Sequence, residues 1–347
     1  MRSFPQTIRW DAGELYLLDQ TKLPLKVIVE KQESVEQVYD SIKQLKVRGA
    51  PAIGVAGAYG LLIALREKTG LNKKKFLEEA EVSAEYLDSA RPTAVNLTWA
   101  LGRMLKSVKN FTGDDSVAMY RHLEEEAIEI HKEDVQLCLK MGINGVSLIT
   151  EGMGVLTHCN AGALATTGIG TATAPMYLAH QNLVKFRVYS EETRPLLQGS
   201  RLTCWELQQS GLDVTLVSDN MAAHLMSQGL IDLVITGTDR VAANGDVANK
   251  IGTHGVAIIA KHFSIPFYVA CPYSTIDMKT ANGKEIVIEE RNVEEVTHFG
   301  LIRTAPEKIK VRNPAFDVTP NELITGLITE KGIISRPFGE NLSKEYL

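Results

Sequence analysis

Two residues in this sequence are of the kinds that move protons or attack carbon: Cys159, in His158-Cys159-Asn160-Ala161-Gly162, and Asp239, in Thr236 to Gly255. Asp239 and Arg240 follow Leu233-Val234-Ile235, which reads as a buried parallel strand. Cys159 closes Val155-Leu156-Thr157-His158, which reads as the first strand of the same sheet. Ligands of open parallel sheets bind outside the carboxyl ends of the strands, so both residues are expected at the ligand edge. A thiolate there serves as nucleophile or base, and a nearby helix N-terminus lowers its pKa. A carboxyl whose pKa is raised by burial serves as a general acid. The same positions read equally as a buried structural cysteine and as an ordinary polar strand-to-helix connection capped by Asn249. Lys250, eleven residues after Asp239, adds a cation to what reads as one folded loop before a helix at Val256 to Ala260.

Other positions favour an anion. Arg48-Gly49-Ala50-Pro51 combines a guanidinium with a helix N-terminus, and both suit phosphate, through bidentate hydrogen bonds and aligned N–H groups. Arg91 precedes Pro92 and Arg194 precedes Pro195. A residue before proline favours extended backbone, so either arginine is a second phosphate ligand or half of a structural ion pair. Gln198 and Gly199 lie in the loop that Arg194 opens. Gly168-Ile169-Gly170 suggests a dinucleotide fingerprint, with Glu191 and Glu192 about 20 residues on, but Thr173 holds the third glycine position. The milder reading is a glycine loop whose amides approach an anion. Asp317, in NPAFDVTP, reads as the start of a terminal helix near Asn321.

The elements that position these groups fall into two regions. Residues 7–30 alternate short apolar runs with turns and read as a small antiparallel β unit. Ser34 and Gln37 form a capping-box pattern opening a helix to Leu45. Helices are predicted from Pro51 to Arg66, from Asn72 to Ser89, from the break at Arg91-Pro92-Thr93 to Lys106, and from Asp114 to Ile149, the last as one long helix or two joined near Gly142 to Gly145. Beyond them, five short strands (155–158, 186–189, 214–217, 233–235 and 267–270) are spaced as βα units of a mainly parallel sheet. The fold class is therefore α/β. The expected domains are 1–145, mainly helical with a β start, and 146–347.

Composition narrows the function. The chain has 347 residues, 44% of them hydrophobic and 23% charged, enough for a packed core. Its net charge is −5, without the basic patch that nucleic-acid binding requires. The four cysteines form no CxxC and no Cys/His cluster, so no metal site is expected. The N-terminal residues lack the apolar core of a signal peptide. Residues 49–65 and 159–179 are free of charge but broken by Gly, Pro, Thr or Asn, and neither reads as a membrane span. The expected setting is a reducing cytoplasm with free thiols.

In order along nearly the whole chain, RGAPAIG (48–54), HCNAGALAT (158–166), ETRPLLQGSRLT (192–203), GTDRVAANGDVANKIGT (237–253) and NPAFDVTP (313–320) resemble methylthioribose-1-phosphate isomerases of methionine salvage. The wider superfamily includes ribose-1,5-bisphosphate isomerases and non-catalytic translation initiation factor subunits. The latter are not expected to keep the cysteine and aspartate pair. The resemblance implies a Rossmann-like C-terminal domain, a homodimer, a sugar-phosphate substrate and no cofactor. It makes Cys159 and Asp239 the catalytic pair, and Arg48, Gly49, Ala50, Arg91, Gln198, Asn249 and Lys250 the substrate ligands. Cys204 stands where alanine is usual and His254 where tyrosine is common. The implied reaction converts 5-methylthioribose 1-phosphate to 5-methylthioribulose 1-phosphate. Either a Cys159 thiolate removes the C2 proton, or hydride shifts from C2 to C1 while Asp239 handles the hydroxyl protons.

Overall fold

The computed structural model describes residues 4–92 and 94–346. They divide into two compact units. One comprises residues 5–138 with 163–170; the other comprises Phe4, residues 139–162 and the chain from Thr171 onward.

In the first unit, β1 (Ile8–Asp11), β2 (Glu14–Leu18) and β3 (Val29–Gln32) form an antiparallel sheet in sequence order. Ile8 lies opposite Leu17, and Leu15 opposite Gln32. The helices are α1 (Val35–Lys43), α2 (Ala50–Leu65), α3 (Lys73–Asp88), α4 (Val95–Lys109) and α5 (Ser116–Gly145), the last continuing into the other unit after Cys138. Local chemistry sets their starts. The Ser34 hydroxyl accepts from the Gln37 amide, the Asn72 side chain from Lys75, and the Asp115 carboxylate from Val117 and Ala118, each satisfying an orphan donor of the first turn. The helix α2 carries no charge, and it is buried on nearly all sides, as expected of a helix apolar all round. Its glycines permit close approach. A methyl group at Gly54 would lie 2.9 Å from the Asn96 carbonyl oxygen of α4, and one at Gly60 2.7 Å from a Val38 methyl of α1.

The second unit contains β4 (Gly154–Thr157), α6 (Ala174–Gln181), β5 (Arg187–Glu191), α7 (Cys204–Gln209), β6 (Val214–Val217), α8 (Ala222–Ser227), β7 (Leu233–Thr236), β8 (Arg240–Ala242), β9 (Val247–Lys250), α9 (Thr253–His262), β10 (Phe267–Ala270) and β11 (Ile276–Asp277). It continues with α10 (Glu294–Thr297), β12 (His298–Phe299), β13 (Ile302–Arg303), β14 (Phe316–Thr319), β15 (Gly326–Thr329), β16 (Gly332–Ser335) and α11 (Phe338–Tyr346). The main sheet has the order β16-β15-β10-β7-β4-β5-β6. All neighbours in it are parallel except β15 and β16. The chain leaves β4 toward β6, then returns to the other side of β4 for β7, β10 and β15. The direction reverses between β4 and β7, and in such sheets the crevice at the reversal binds ligand. Strands β4, β7 and β15 are buried along their whole length.

The five predicted parallel strands are present as β4, β5, β6, β7 and β10. The structure adds β15 and β16, and a second sheet of order β11-β8-β9-β14. Three expectations change. The middle of Thr236 to Gly255 is a β-hairpin, not a loop: β8 and β9 pair across Asn244-Gly245, with Gly245 at φ +88°. Asn-Gly between apolar runs is a hairpin signal. Asn249 sits on strand β9 opposite Asp317 and does not cap a helix. Asp317 itself lies in β14, and the terminal helix is α11. No helix of the described residues is long and apolar enough to cross a membrane.

The closeness of α2 and α4 is testable. Gly54→Ala pushes a methyl group onto a backbone oxygen that cannot move alone, and should cost about 1–3 kcal/mol in chemical denaturation. Gly102→Ala on α4 meets nothing within 4 Å and should gain about 0.5–1 kcal/mol. Equal effects from the two would refute tight packing at Gly54.

Candidate functional site

The chain turns sharply where β4 ends. Cys159 is 9% exposed and has φ +63°, a left-handed backbone that costs a non-glycine residue about 1–2 kcal/mol. Its N–H donates to the Thr193 hydroxyl at 2.8 Å, and its carbonyl accepts from the Thr203 hydroxyl at 2.6 Å. At about 0.5–1.5 kcal/mol net each, these two bonds offset the strain. Thr193 is itself left-handed, at φ +65°. Its N–H donates to Asp219 Oδ1 and that of Arg194 to Asp219 Oδ2, both at 2.7 Å. One network therefore joins the carboxyl ends of β4, β5 and β6.

The end of β7 closes against the same region. A methyl group at Gly237 would lie 2.4 Å from the Ala161 methyl, so the loops after β4 and β7 touch. Asp239 follows, its N–H donating to the Ala248 carbonyl at 3.0 Å. The side chain is exposed, so the protein alone does not bury this carboxyl as its role as an acid was expected to need. Asn249 is buried, with Nδ2 donating to the Thr253 hydroxyl at 3.0 Å. Lys250 Nζ donates to the Ala315 carbonyl at 2.9 Å and lies 4.5 Å above the Phe316 ring centre, a cation–π arrangement. Gln198 is buried and its Oε1 has no hydrogen-bond partner among the described residues, leaving an acceptor for a ligand hydroxyl.

The remaining sequence-derived candidates belong to the first unit. Gly49 caps α2 at φ +88°, where a methyl group would come within 2.3 Å of the Ala165 carbonyl oxygen. Arg48 is half-buried and Ala50 exposed at that helix start. Arg91 is half-buried, just before Ala94, which caps α4. The loop at 168–172 has spent its amides internally. Gly168 and Gly170 donate to the Thr166 hydroxyl, and Thr171 and Ala172 to the Ala161 carbonyl, so the partial fingerprint forms no dinucleotide site.

The sequence reading missed the buried pair beneath Cys159. His158 Nδ1 lies 2.6 Å from Glu191 Oε2, and Nε2 donates to the Ile251 carbonyl at 2.8 Å. Both side chains are essentially inaccessible, and Asp219 brings a third ligand-type atom within 4.8 Å. Adjacent polar residues in the sequence gave no signal for this pairing. Burial opposes the charge on His158, but the Glu191 bond and charge, with help from Asp219, outweigh it and raise its pKa. Burial raises that of Glu191, against the pull of His158. Both shifts make the folded protein hold protons more tightly than the unfolded chain. Nearby, Asp317 is also raised by burial, although it accepts the Gly252 and His254 amides that open α9. For raised pKa values the stabilisation is present at low pH and is lost as pH climbs through the folded value. Wild-type stability should therefore fall more between pH 6 and pH 9 than that of His158→Gln/Glu191→Gln, which removes both protonation sites. Parallel urea-denaturation profiles for the two proteins would refute this.

Residues 46–336 match the Initiation factor 2 subunit family. A 5-deoxyribose 1-phosphate isomerase of Bacillus thuringiensis (strain Al Hakam) is 55% identical over 338 residues, 97% of each chain. The crystal structure of 5-methylthioribose 1-phosphate isomerase from Pyrococcus horikoshii OT3 superposes with TM-score 0.96 at 44% identity, over 99% of this chain and 96% of that one. The crystal structure of translation initiation factor eIF-2B subunit delta from A. fulgidus gives TM-score 0.92 at 46% identity, over 98% of both chains. With matches of that extent, the chain belongs to the Initiation factor 2 subunit family.

Proposed function

We propose that this protein is an aldose–ketose isomerase acting on a ribose 1-phosphate that lacks the 5-oxygen. The observation that carries this is the placement of Cys159 and Asp239 after β4 and β7, the two strands that flank the reversal of the sheet, in a chain 55% identical to a sugar-phosphate isomerase. That relative's name favours 5-deoxyribose 1-phosphate. The Pyrococcus structure favours 5-methylthioribose 1-phosphate, which would place the reaction in methionine salvage. Both sugars carry phosphate on the anomeric oxygen, so neither opens to a free aldehyde.

The chemistry follows from that block. Asp239 protonates the ring oxygen as the C1–O bond breaks, leaving C1 electron-poor and still phosphorylated. Hydrogen then moves from C2 to C1 as the 2-hydroxyl gives up its proton, and the open-chain ketose 1-phosphate results. Hydride passes directly, or a Cys159 thiolate removes the C2 proton and an enol is reprotonated at C1. Substrate lying over Asp239 would supply the burial that its exposed carboxyl lacks and raise its pKa. Lys250 suits the phosphate, and Gln198 Oε1 suits a sugar hydroxyl. The proposed working form is a cytoplasmic homodimer, as the resemblance of the motifs implies.

The test is phosphorus and proton NMR of the protein with each sugar phosphate. The wild type should form the ketose 1-phosphate. Cys159→Ser and Asp239→Asn, each folded, should lose about 10²–10⁴ in kcat. The preferred sugar should lead by about 10- to 200-fold in kcat/KM, the discrimination that one apolar group allows. Deuterium from solvent at C1 would rule out a pure hydride shift. A folded wild type that turns over neither sugar would favour a non-catalytic, ligand-holding role.

A further inference from the structure

The Cys159 peptide is gripped on both sides by hydroxyl groups from separate segments. Thr193 Oγ1 accepts the Cys159 N–H and donates to the Glu191 carbonyl at 3.1 Å. Thr203 Oγ1 donates to the Cys159 carbonyl and accepts from Asn160 Nδ2 at 3.1 Å. Each hydroxyl proton is therefore committed, and each hydroxyl has a fixed direction. Both threonines are buried to within 1%.

We propose that Thr193 and Thr203 are positioning residues for the Cys159 thiol. They hold its backbone in the left-handed region, at the sharp turn where β4 ends. Neither need touch substrate; they act through Cys159, so the proposal rests on the catalytic reading of that residue. A left-handed φ relaxes when nothing over-determines it. Relaxation to the ordinary region would rotate Cβ about the N–Cα bond by about 120°, carrying the sulfur away from its native place. Valine has the shape of threonine without the hydroxyl, so Thr→Val removes the grip alone. Serine restores it.

The experiment uses the full-length chain with Thr193→Val, Thr193→Ser, Thr203→Val and Thr203→Ser. Steady-state kinetics with the preferred sugar phosphate is one readout. The rate of Cys159 alkylation by iodoacetamide, followed by peptide mass spectrometry, is the other. Each valine variant should lose about 10- to 100-fold in kcat with little change in KM, as displacement of a reacting group by an ångström does. Its alkylation rate should change by about fivefold or more, because a thiol's reactivity follows its surroundings. The serine variants should recover both. Thr203 has an ordinary helical φ of −63°, so its variants fold without the strain present at Thr193. Wild-type kcat and alkylation in both valine variants would overturn the proposal. So would losses that serine fails to restore and that track the melting temperature. Alkylation judges the grip even if the wild type turns over neither sugar, so failure of the isomerase reading stays separate.

Discussion

The candidate site depends on how near two loops can come. Neighbouring strands of a sheet lie about 4.8 Å apart, so residues just past the ends of β4 and β7 are brought close by hydrogen-bonded geometry alone. That spacing leaves little room above the strands. Gly237 meets Ala161 where even a methyl group would not fit, and two residues later the chain reaches Asp239. Cys159 and Asp239, eighty residues apart in sequence, thus follow two strands that pair side by side.

What surrounds that contact is polar, strained and charged, while the layer below is not. Leu156, Val234, Val269 and Leu327, one from each of four adjacent strands, are buried in a continuous apolar cluster with Val256 and Ala257 of α9. This floor supplies the stability that permits unfavourable features above it: the left-handed backbones of Cys159 and Thr193, and a His–Glu pair sealed from water. A buried ion pair is weak evidence of net stabilisation. His158 instead ties β4 to Glu191 at the end of β5 and to Ile251, next to Lys250, so it fixes positions among segments that carry candidate ligands.

Much of this was legible in the sequence, for identifiable reasons. Parallel strands buried on both faces read as short apolar runs, and five of them were found on that basis. Helix starts were legible wherever a side-chain cap existed, as at Ser34 and Asn72. Asp239 and Cys159 stand out as candidates because each follows such a run. The polar network was not. Thr193, Thr203 and Asp219 matter through partners 26 to 44 residues away, and no local spacing rule reports a bond of that range. The hairpin β8–β9 was hidden by its polar composition, although Asn244-Gly245 marked its turn. Asp317 misled because an acid before a helix-like stretch resembles a local cap, whereas it caps a helix that precedes it in the chain.

That reversal of order has a consequence for how the chain becomes active. The amides at the head of α9 find their acceptor on a carboxylate 63 and 65 residues further along, in a strand that also holds β9 in register and sets Phe316 beneath Lys250. Synthesis proceeds from the amino end. Every group expected to meet substrate has therefore left the ribosome well before the strand that completes their frame. The nascent protein carries all of its chemistry but not its alignment, and residues near the carboxyl end decide when the two coincide.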